Sequence, residues 1–345
     1  MRITKRRLSL GCLAAASSVL ALSASAQTIT MSVVTGSPPG HIISDGGVEP
    51  WMACVEDALG DGINFNYFPS GQLVALRELQ AGLESGVANA VPIPIGYASD
   101  RMPLNNVSML PGMGTSAQEV IGSYSRAIRE IDALGEEFVE ANAVPIWAMG
   151  FPPYQIISMG PAMDRIESFQ GKVVRSAGGT MTLAIQALGA APAEVTVADL
   201  YVSMERGVVD STISGLASVK PYNLQEIMQS VSTNGAFGTF TNVFSINRDF
   251  WNGLPGDVQQ VMADCGLQVE RSIAARMDAE AVTLAEEFAA LGIDVFEFEE
   301  AAAAEINARL DAVKDDWVGR LEARGLPARD VLEVYQSIMA EQSGS

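Results

Sequence analysis

Basic residues and histidine are scarce in this chain of 345 residues. Lysine and arginine together number 21 against 41 acidic residues, the formal net charge is -20, and His41 is the only histidine. A field of this sign repels nucleic acid and anionic lipid surfaces, so we expect no nucleic-acid partner. A simple soluble surface is the ordinary explanation for the acidity itself.

Cysteine is also scarce, with Cys12, Cys54 and Cys265 as the whole set. Their spacing contains no CxxC pair, and a single histidine cannot complete a zinc site, so we expect neither a metal nor another cofactor. In an oxidising compartment Cys54 and Cys265 could be joined as a disulfide, or they could lie apart as buried thiols. The sequence leaves both alternatives open because it does not give the Cα separation.

Sequence motifs of catalysis are absent. We find no GxGxxG fingerprint followed by an acidic residue, no Walker loop and no GxSxG nucleophile elbow. A catalytic triad would have to use His41, which follows a Pro-Pro-Gly turn. The sequence therefore favours a binding protein over an enzyme, with a secreted α/β hydrolase as the alternative.

The N-terminus has the pattern of a signal peptide. Basic residues lie within 2–7, a short apolar run covers 8–22, and small residues occupy 24–26, where signal peptidase would cut. We predict a signal peptide over 1–26, a mature chain that starts near Gln27, and export to the periplasm. No later stretch has the pattern of a membrane span.

Strand and helix patterns alternate in two parts of the chain. The first part has strand patterns at 29–34, 64–68 and 88–95, with helical patterns at 48–59 and 72–83. The second has strand patterns at 172–175, 192–197 and from 208, with helical patterns at 180–188 and 198–206. This alternation predicts parallel sheets covered by helices, and the lack of a flexible linker predicts two lobes joined by a hinge. Residues 257–299 and the C-terminal segments are predicted to be mostly helical.

Arg175 stands at the end of an apolar strand pattern, just before Gly178, Gly179 and a predicted helix. Ligands of open α/β sheets bind at that end of the strands. A guanidinium offers two parallel hydrogen bonds to a carboxylate, and the helix N-terminus favours negative charge. We therefore predict a carboxylate clamp at Arg175; an internal ion pair with a neighbouring acid is the alternative.

Several blocks resemble the solute-binding proteins of TRAP transporters, the DctP-type family. FPSGQL at 68–73 resembles the family's FPxGQL, FQGKVVR at 169–175 its DLKGLKIRV, and LGA at 188–190 its LGA. Residues 199–210 resemble EVYxALQRGVVDG, and 250–255 resemble the later W..LP. The blocks occur in the family's order and span nearly all of the mature chain.

The resemblance implies an α/β, two-lobed, periplasmic-binding-protein-like fold with long helices crossing both lobes. It implies a non-catalytic receptor that closes on an organic acid and delivers it to the membrane permease subunits of a TRAP transporter. We expect lobe I to comprise 27–152 plus about 241–280, and lobe II to comprise 153–240 plus about 281–345 with the C-terminal helices. The family's ligand-binding arginine matches Arg175. A ligand sensor that docks on a membrane receptor would need the same cleft and stays an alternative.

Two departures from the family bear on the ligand. Ser214 replaces a family asparagine that contacts ligand, and the region around Tyr154 and Gln155 lacks the second arginine that some members have. Both favour a monocarboxylate with an apolar or aromatic body. The predicted ligand-binding residues are Arg175, Tyr154, Gln155, Ser214, Phe237, Phe240, His41 and Trp51, with Tyr97 and Gln72 as further candidates.

Overall fold

Two separate β-sheets organise the molecule, for which a computed structural model describes residues 28–343. The predicted signal peptide and Cys12 lie outside the described residues. The first sheet contains β1 (Ile29–Val34), β2 (Ile63–Phe68), β3 (Ala90–Pro94), β4 (Ala143–Gly150) and β10 (Thr241–Asn247). The second sheet contains β5 (Gln155–Ser158), β6 (Val173–Ser176), β7 (Ala191–Glu194), β8 (Ser211–Ser214), β9 (Ser230–Ser232) and β11 (Asp294–Phe296).

Helices connect and cover these strands. They are α1 (Glu49–Leu59), α2 (Leu79–Glu84), α3 (Ala117–Glu130), α4 (Asp132–Glu140), α5 (Thr180–Ala187), α6 (Val197–Glu205), α7 (Arg248–Asn252), α8 (Gly256–Ala290), α9 (Glu300–Glu322) and α10 (Ala328–Ser343). The helical pattern predicted for 72–83 is only partly confirmed, because a 3-10 turn at Leu76–Glu78 precedes the short α2. Likewise, the long helix predicted to reach 299 ends at Ala290, and β11 follows it.

The predicted parallel units form one side of each sheet, up to the edge strands β2 and β7. β1 pairs in parallel with β2 and β3, and β6 pairs in parallel with β7 and β8. The sheets are nevertheless mixed, because β10 runs antiparallel to β3 and β4, and β5 runs antiparallel to β8 and β9. The chain reaches β10 after leaving the second sheet, so β10 runs opposite to its neighbours in the first sheet. The alternation of strand and helix patterns along the sequence does not give the direction of such a strand.

The helix α8 joins the two lobes. Its 35 residues make it about 50 Å long. It packs against β4, α1 and α3 of the first lobe and against β11 of the second. Asp278 in this helix accepts hydrogen bonds from the backbone N–H groups of Ala117 and Gln118 at the start of α3. The predicted two-lobed α/β fold with a long crossing helix is therefore confirmed.

The C-terminal helices divide between the lobes. α9 packs against α5 beside the second sheet, whereas α10 packs against α3 beside the first. We propose the predicted lobe boundaries with one change, namely that α10 returns to the first lobe.

A disulfide fastens α8 to the first lobe. Cys54 in α1 and Cys265 in α8 are bonded, with their Cα atoms 5.8 Å apart and a sequence separation of 211 residues. Of the two alternatives that the sequence left open, the structure has the disulfide. A cross-link over so long a loop removes much conformational entropy from the unfolded chain.

Replacing both cysteines by serine should therefore lower the free energy of unfolding by about 2–5 kcal/mol. Urea titration of the native protein with and without a reducing agent measures the effect. The Cys54→Ser, Cys265→Ser double variant is the control, since its midpoint should not respond to reductant. A native midpoint that is equally insensitive would contradict the disulfide.

Candidate functional site

A narrow cavity lies between the two lobes, with about 390 Å³ of empty volume when the part open to solvent is included. Its lining comes from both sheets and the loops that follow their strands. The first lobe contributes His41, Pro94, Tyr97 and Asn242 to the lining. The second lobe contributes Arg175, Val197, Ser214, Ser218 and Tyr222. Phe151, Tyr154 and Phe240 line it from the segments that connect the lobes.

Arg175 lies near the end of β6, and its side chain is only 2% exposed. Its Nε donates to the carbonyl of Val195 at 2.7 Å, and its Nη2 donates to the hydroxyl of Tyr97 at 2.9 Å. Both partners are neutral. Among residues 28–343 no carboxylate comes within ion-pairing distance of this guanidinium, so the internal ion pair that the sequence left as an alternative is absent.

A buried positive charge without a counter-ion is expensive, because transfer from water removes its solvation. The two neutral acceptors around Arg175 recover only part of that free energy. Arg175 lines the cavity, so the N–H groups of its guanidinium that are not used in these two hydrogen bonds can reach a ligand there. The arrangement can therefore bind an anion through charge-assisted hydrogen bonds.

Tyr97 joins the two lobes beside Arg175. It follows β3 of the first lobe, and its hydroxyl oxygen accepts hydrogen bonds from Arg175 Nη2 and from the backbone N–H of Val197, each at 2.9 Å. These two bonds use both lone pairs of the oxygen, so the hydroxyl proton is available to another acceptor. Arg77 lies over the ring of Tyr97, with its guanidinium carbon 5.6 Å from the ring centroid.

His41 forms a second contact between the lobes. Its Nδ1 accepts from the backbone N–H of Ile43 at 3.2 Å, which leaves Nε2 as the donor to Ser218 Oγ, also at 3.2 Å. Desolvation by burial lowers the pKa of His41 from 6.5 to about 3. The imidazole is thus neutral at physiological pH and adds no charge to the cavity.

Aromatic rings form much of the cavity wall. Tyr154 is stacked near Phe240 with ring centroids 6.4 Å apart, and Phe151 meets Tyr154 edge to face at 5.7 Å. Burial raises the pKa of Tyr154 well above its usual value and raises that of Tyr222 as well. Both hydroxyls therefore stay protonated and can donate hydrogen bonds.

Gly178 and Gly179 bring the two lobes close together. Both have left-handed backbone angles, with φ of 91° and 56°. A Cβ on Gly178 would lie 2.8 Å from the carbonyl oxygen of Gly96, and one on Gly179 would collide with Asn106. The structure therefore places these glycines at the contact with the first lobe.

Two of the predicted site residues, Trp51 and Phe237, lie outside the cavity. Trp51 is buried in the first lobe, where its Nε1 donates to the carbonyl of Met262 at 3.0 Å and its ring packs on Phe244. Phe237 packs in the second lobe against Phe169 and Phe298. An apolar pattern along the chain does not distinguish a ring in the core from a ring in a cavity wall.

Gln155 is also placed outside the cavity. Its Nε2 donates to the carbonyls of Pro153 and Gly235, and its Oε1 accepts from Ser232 Oγ and the Gly235 N–H. This side chain holds the connecting segments together and has no capacity left for a ligand. Gln72 is exposed and does not line the cavity either.

The structure brings Arg175, Tyr154, Ser214, Phe240 and His41 together as lining residues, with the further candidate Tyr97. Sequence reasoning missed the lining residues Phe151, Ser218, Tyr222 and Asn242. Ser218 and Tyr222 both lie in short 3-10 turns, where periodicity gives no signal. Asn242 could have been noticed, because it is an amide inside an apolar strand.

The sequence profile of the bacterial extracellular solute-binding protein family 7 (DctP) matches residues 34–319. The chain belongs to this family. A solute-binding protein from Albidiferax ferrireducens is 21% identical over 269 residues, which cover 76% of this chain and 78% of that protein.

Solved structures of TRAP solute-binding proteins have the same fold as this family member. One from Rhodoferax ferrireducens, with copurified benzoate, has a TM-score of 0.86 at 20% identity and covers 92% of this chain and 99% of that one. One from a marine metagenome, with 3-hydroxybenzoate, has a TM-score of 0.85 at 18% identity and covers 91% and 98%. One from Bordetella bronchiseptica, with (R)- and (S)-mandelate, has a TM-score of 0.81 at 16% identity and covers 91% and 99%.

Residues 28–343 of this solute-binding protein contain neither a membrane-crossing helix nor a metal-binding cluster. None of the helices there combines the length and the apolar character that a membrane crossing requires. No group of three or more His, Cys, Asp or Glu side chains in that range is arranged to hold a metal ion.

The neutral, buried His41 should make this DctP-family protein less stable in mild acid. Unfolded, the histidine takes up a proton below about pH 6.5, whereas in the folded protein it stays neutral down to about pH 3. Its contribution to stability is therefore complete above pH 6.5 and is lost as the pH falls toward 3, by at most about 1.4 kcal/mol per pH unit.

Urea unfolding at pH 7, 6 and 5, compared between the native protein and His41→Gln, isolates this contribution. We expect the native protein to lose stability relative to the variant over that range. NMR of the single imidazole gives an independent check, since its Cε1 proton should not titrate above pH 5. A folded-state titration near pH 6.5 would contradict the neutral histidine.

Proposed function

We propose that this protein is the periplasmic, non-catalytic receptor of a TRAP transporter and that it captures a small monocarboxylate with an aromatic or apolar body. The observation that carries the proposal is Arg175, a buried guanidinium that lines the interlobe cavity without a carboxylate partner among the described residues. Its free N–H groups match the two oxygens of a carboxylate.

The charge of the lining favours a ligand with one negative charge. Arg175 is the single permanent cation among the described lining residues, which include no aspartate or glutamate. His41 is neutral because its pKa is lowered to about 3. A second carboxylate in the cavity would be desolvated without a cation to balance it.

The walls favour an apolar or aromatic body. The rings of Phe151, Tyr154 and Phe240 surround the cavity, and such rings bind a flat apolar group by burial and offset stacking. Relatives with the same fold bind benzoate, 3-hydroxybenzoate and mandelate, each an aromatic ring with one carboxylate. Another TRAP relative, from Rhodoferax ferrireducens, binds malonate, so fold alone does not decide the class.

We infer a mechanism of capture by lobe closure. Arg175 on the second lobe binds the carboxylate first, and the first lobe then completes the enclosure through Tyr97 and His41. The contacts of Tyr97 with Arg175 and Val197, and of His41 with Ser218, span the two lobes and so favour the closed form. Closure removes water from the ion pair and strengthens it. The permease subunits of the transporter would then receive the ligand.

Removing the guanidinium should abolish most of the affinity. Arg175→Ala leaves a carboxylate unpaired in a partly dry site, so we expect binding of benzoate or a similar monocarboxylate to weaken by a factor on the order of 10² to 10³. Arg175→Lys keeps the charge but loses the planar fork, so its affinity should be intermediate. Isothermal titration calorimetry measures each variant.

Arg101→Ala is the matched control, because Arg101 is an exposed arginine whose ion pair with Glu84 lies outside the cavity. It should bind as the native protein does. Equal affinity in Arg175→Ala and the native protein would rule out the clamp. Conversion of the bound acid into a product during prolonged incubation would contradict a non-catalytic receptor.

A panel of monocarboxylates and dicarboxylates tests whether the cavity prefers a ligand with one negative charge. We expect benzoate or mandelate to bind at least about 10-fold more tightly than malonate or succinate, because a second carboxylate finds no cation. Equilibrium titration at one pH and salt concentration makes the comparison. A clear preference for the diacids would overturn the monocarboxylate assignment.

A further inference from the structure

Asn242 is a buried amide of the first lobe, near the start of the strand β10. It belongs to β10, it is 2% exposed, and its side chain lines the cavity. Its Nδ2 is shielded from solvent and has no hydrogen-bond partner among the residues described. A buried donor without an acceptor is costly, so such a group at a cavity wall indicates a ligand acceptor opposite it.

Other polar side chains of β10 are satisfied by the protein. Thr241 Oγ1 is 2.9 Å from Ser108 Oγ, and Ser245 Oγ donates to the carbonyl of Val243 at 3.1 Å. Asn247 donates to the carbonyl of Leu83 and accepts from the N–H of Phe250. The protein thus provides hydrogen-bond partners for the polar side chains of β10 except for the Nδ2 of Asn242, which lines the cavity.

We propose that Asn242 forms a second polar subsite, across the cavity from Arg175, which binds a hydroxyl or keto oxygen on the body of the ligand. This inference rests on the proposed function and narrows the substrate class to hydroxy- or oxo-substituted monocarboxylates.

The position of Asn242 supports a contact distinct from the carboxylate. Asn242 lies on β10 of the first sheet, whereas Arg175 lies on β6 of the second. The two side chains therefore belong to different lobes, and one small molecule in the cavity can contact both. A ligand with a carboxylate and a second polar group would bind Arg175 of one lobe through the carboxylate and Asn242 of the other lobe through the second group.

The chemistry of the amide supports a neutral oxygen. A carboxamide offers N–H donors and a carbonyl acceptor, which complement a hydroxyl that both accepts and donates, or a keto oxygen that accepts. A second carboxylate at this wall would have a neutral donor and no cation. Asn242 thus favours a polar substituent without charge.

The test compares parent acids with their hydroxylated forms. The probes are benzoate with the 2-, 3- and 4-hydroxybenzoates, and phenylacetate with mandelate, each titrated by calorimetry into the native protein and Asn242→Leu. We expect at least one hydroxylated acid to bind about 10-fold more tightly than its parent to the native protein. In Asn242→Leu the ratio of the two affinities should fall to about one or invert.

Asn64→Leu is the matched control, because Asn64 is an exposed asparagine on β2 of the same sheet and does not line the cavity. It should keep the native ratio. The absence of any preference for a hydroxylated acid in the native protein overturns the subsite, and this result needs no variant to fold. A preference that persists in Asn242→Leu, or an equal loss for parent and hydroxylated acid, also overturns it.

The same experiment separates this inference from the proposed function. Acids that bind in an Arg175-dependent way without a hydroxyl preference would leave the carboxylate receptor standing and remove only the Asn242 subsite. If none of the acids binds, or if Arg175→Ala binds them as well as the native protein does, both proposals fail.

Discussion

The buried charge of Arg175 is the constraint on which the site depends. The protein surrounds this guanidinium with neutral acceptors, the carbonyl of Val195 and the hydroxyl of Tyr97, and with aromatic rings. These contacts fix its orientation and leave its charge uncompensated among the described residues. A receptor that neutralised the charge with its own carboxylate would be more stable when empty, but it would have to break that ion pair to bind an anion.

The rest of the fold makes it possible for the lobes to meet around that charge. Gly178 and Gly179 let the end of β6 touch the first lobe, where any Cβ would collide. α8 crosses both lobes, and the disulfide between Cys54 and Cys265 fixes its first half to α1. The second half contacts the second lobe. Under the proposed mechanism of closure, α8 would hold to the first lobe while the connecting segments bend.

Local patterns in the sequence identified the strand that carries Arg175, and with the family resemblance they predicted the fold class. They could not place residues whose position depends on contacts distant in sequence. Phe237 and Phe240 belong to one short segment of the chain, yet the first is packed in a core and the second lines the cavity. The antiparallel β10 and its Asn242 were missed for the same reason, since strand direction follows from where the chain returns.

The acidity of the whole chain contrasts with the cation at its centre, and the two act over different distances. With 41 acidic residues against 21 basic ones, the surface field opposes the approach of an anion. At physiological salt this field is screened within about 8 Å, whereas charges in a buried cavity are screened far less. Affinity for an anion must therefore arise from short-range contacts inside the cavity. Because the lining offers one permanent cation and several neutral donors, we propose that discrimination among acids rests on the number of charges and on where the uncharged polar groups lie.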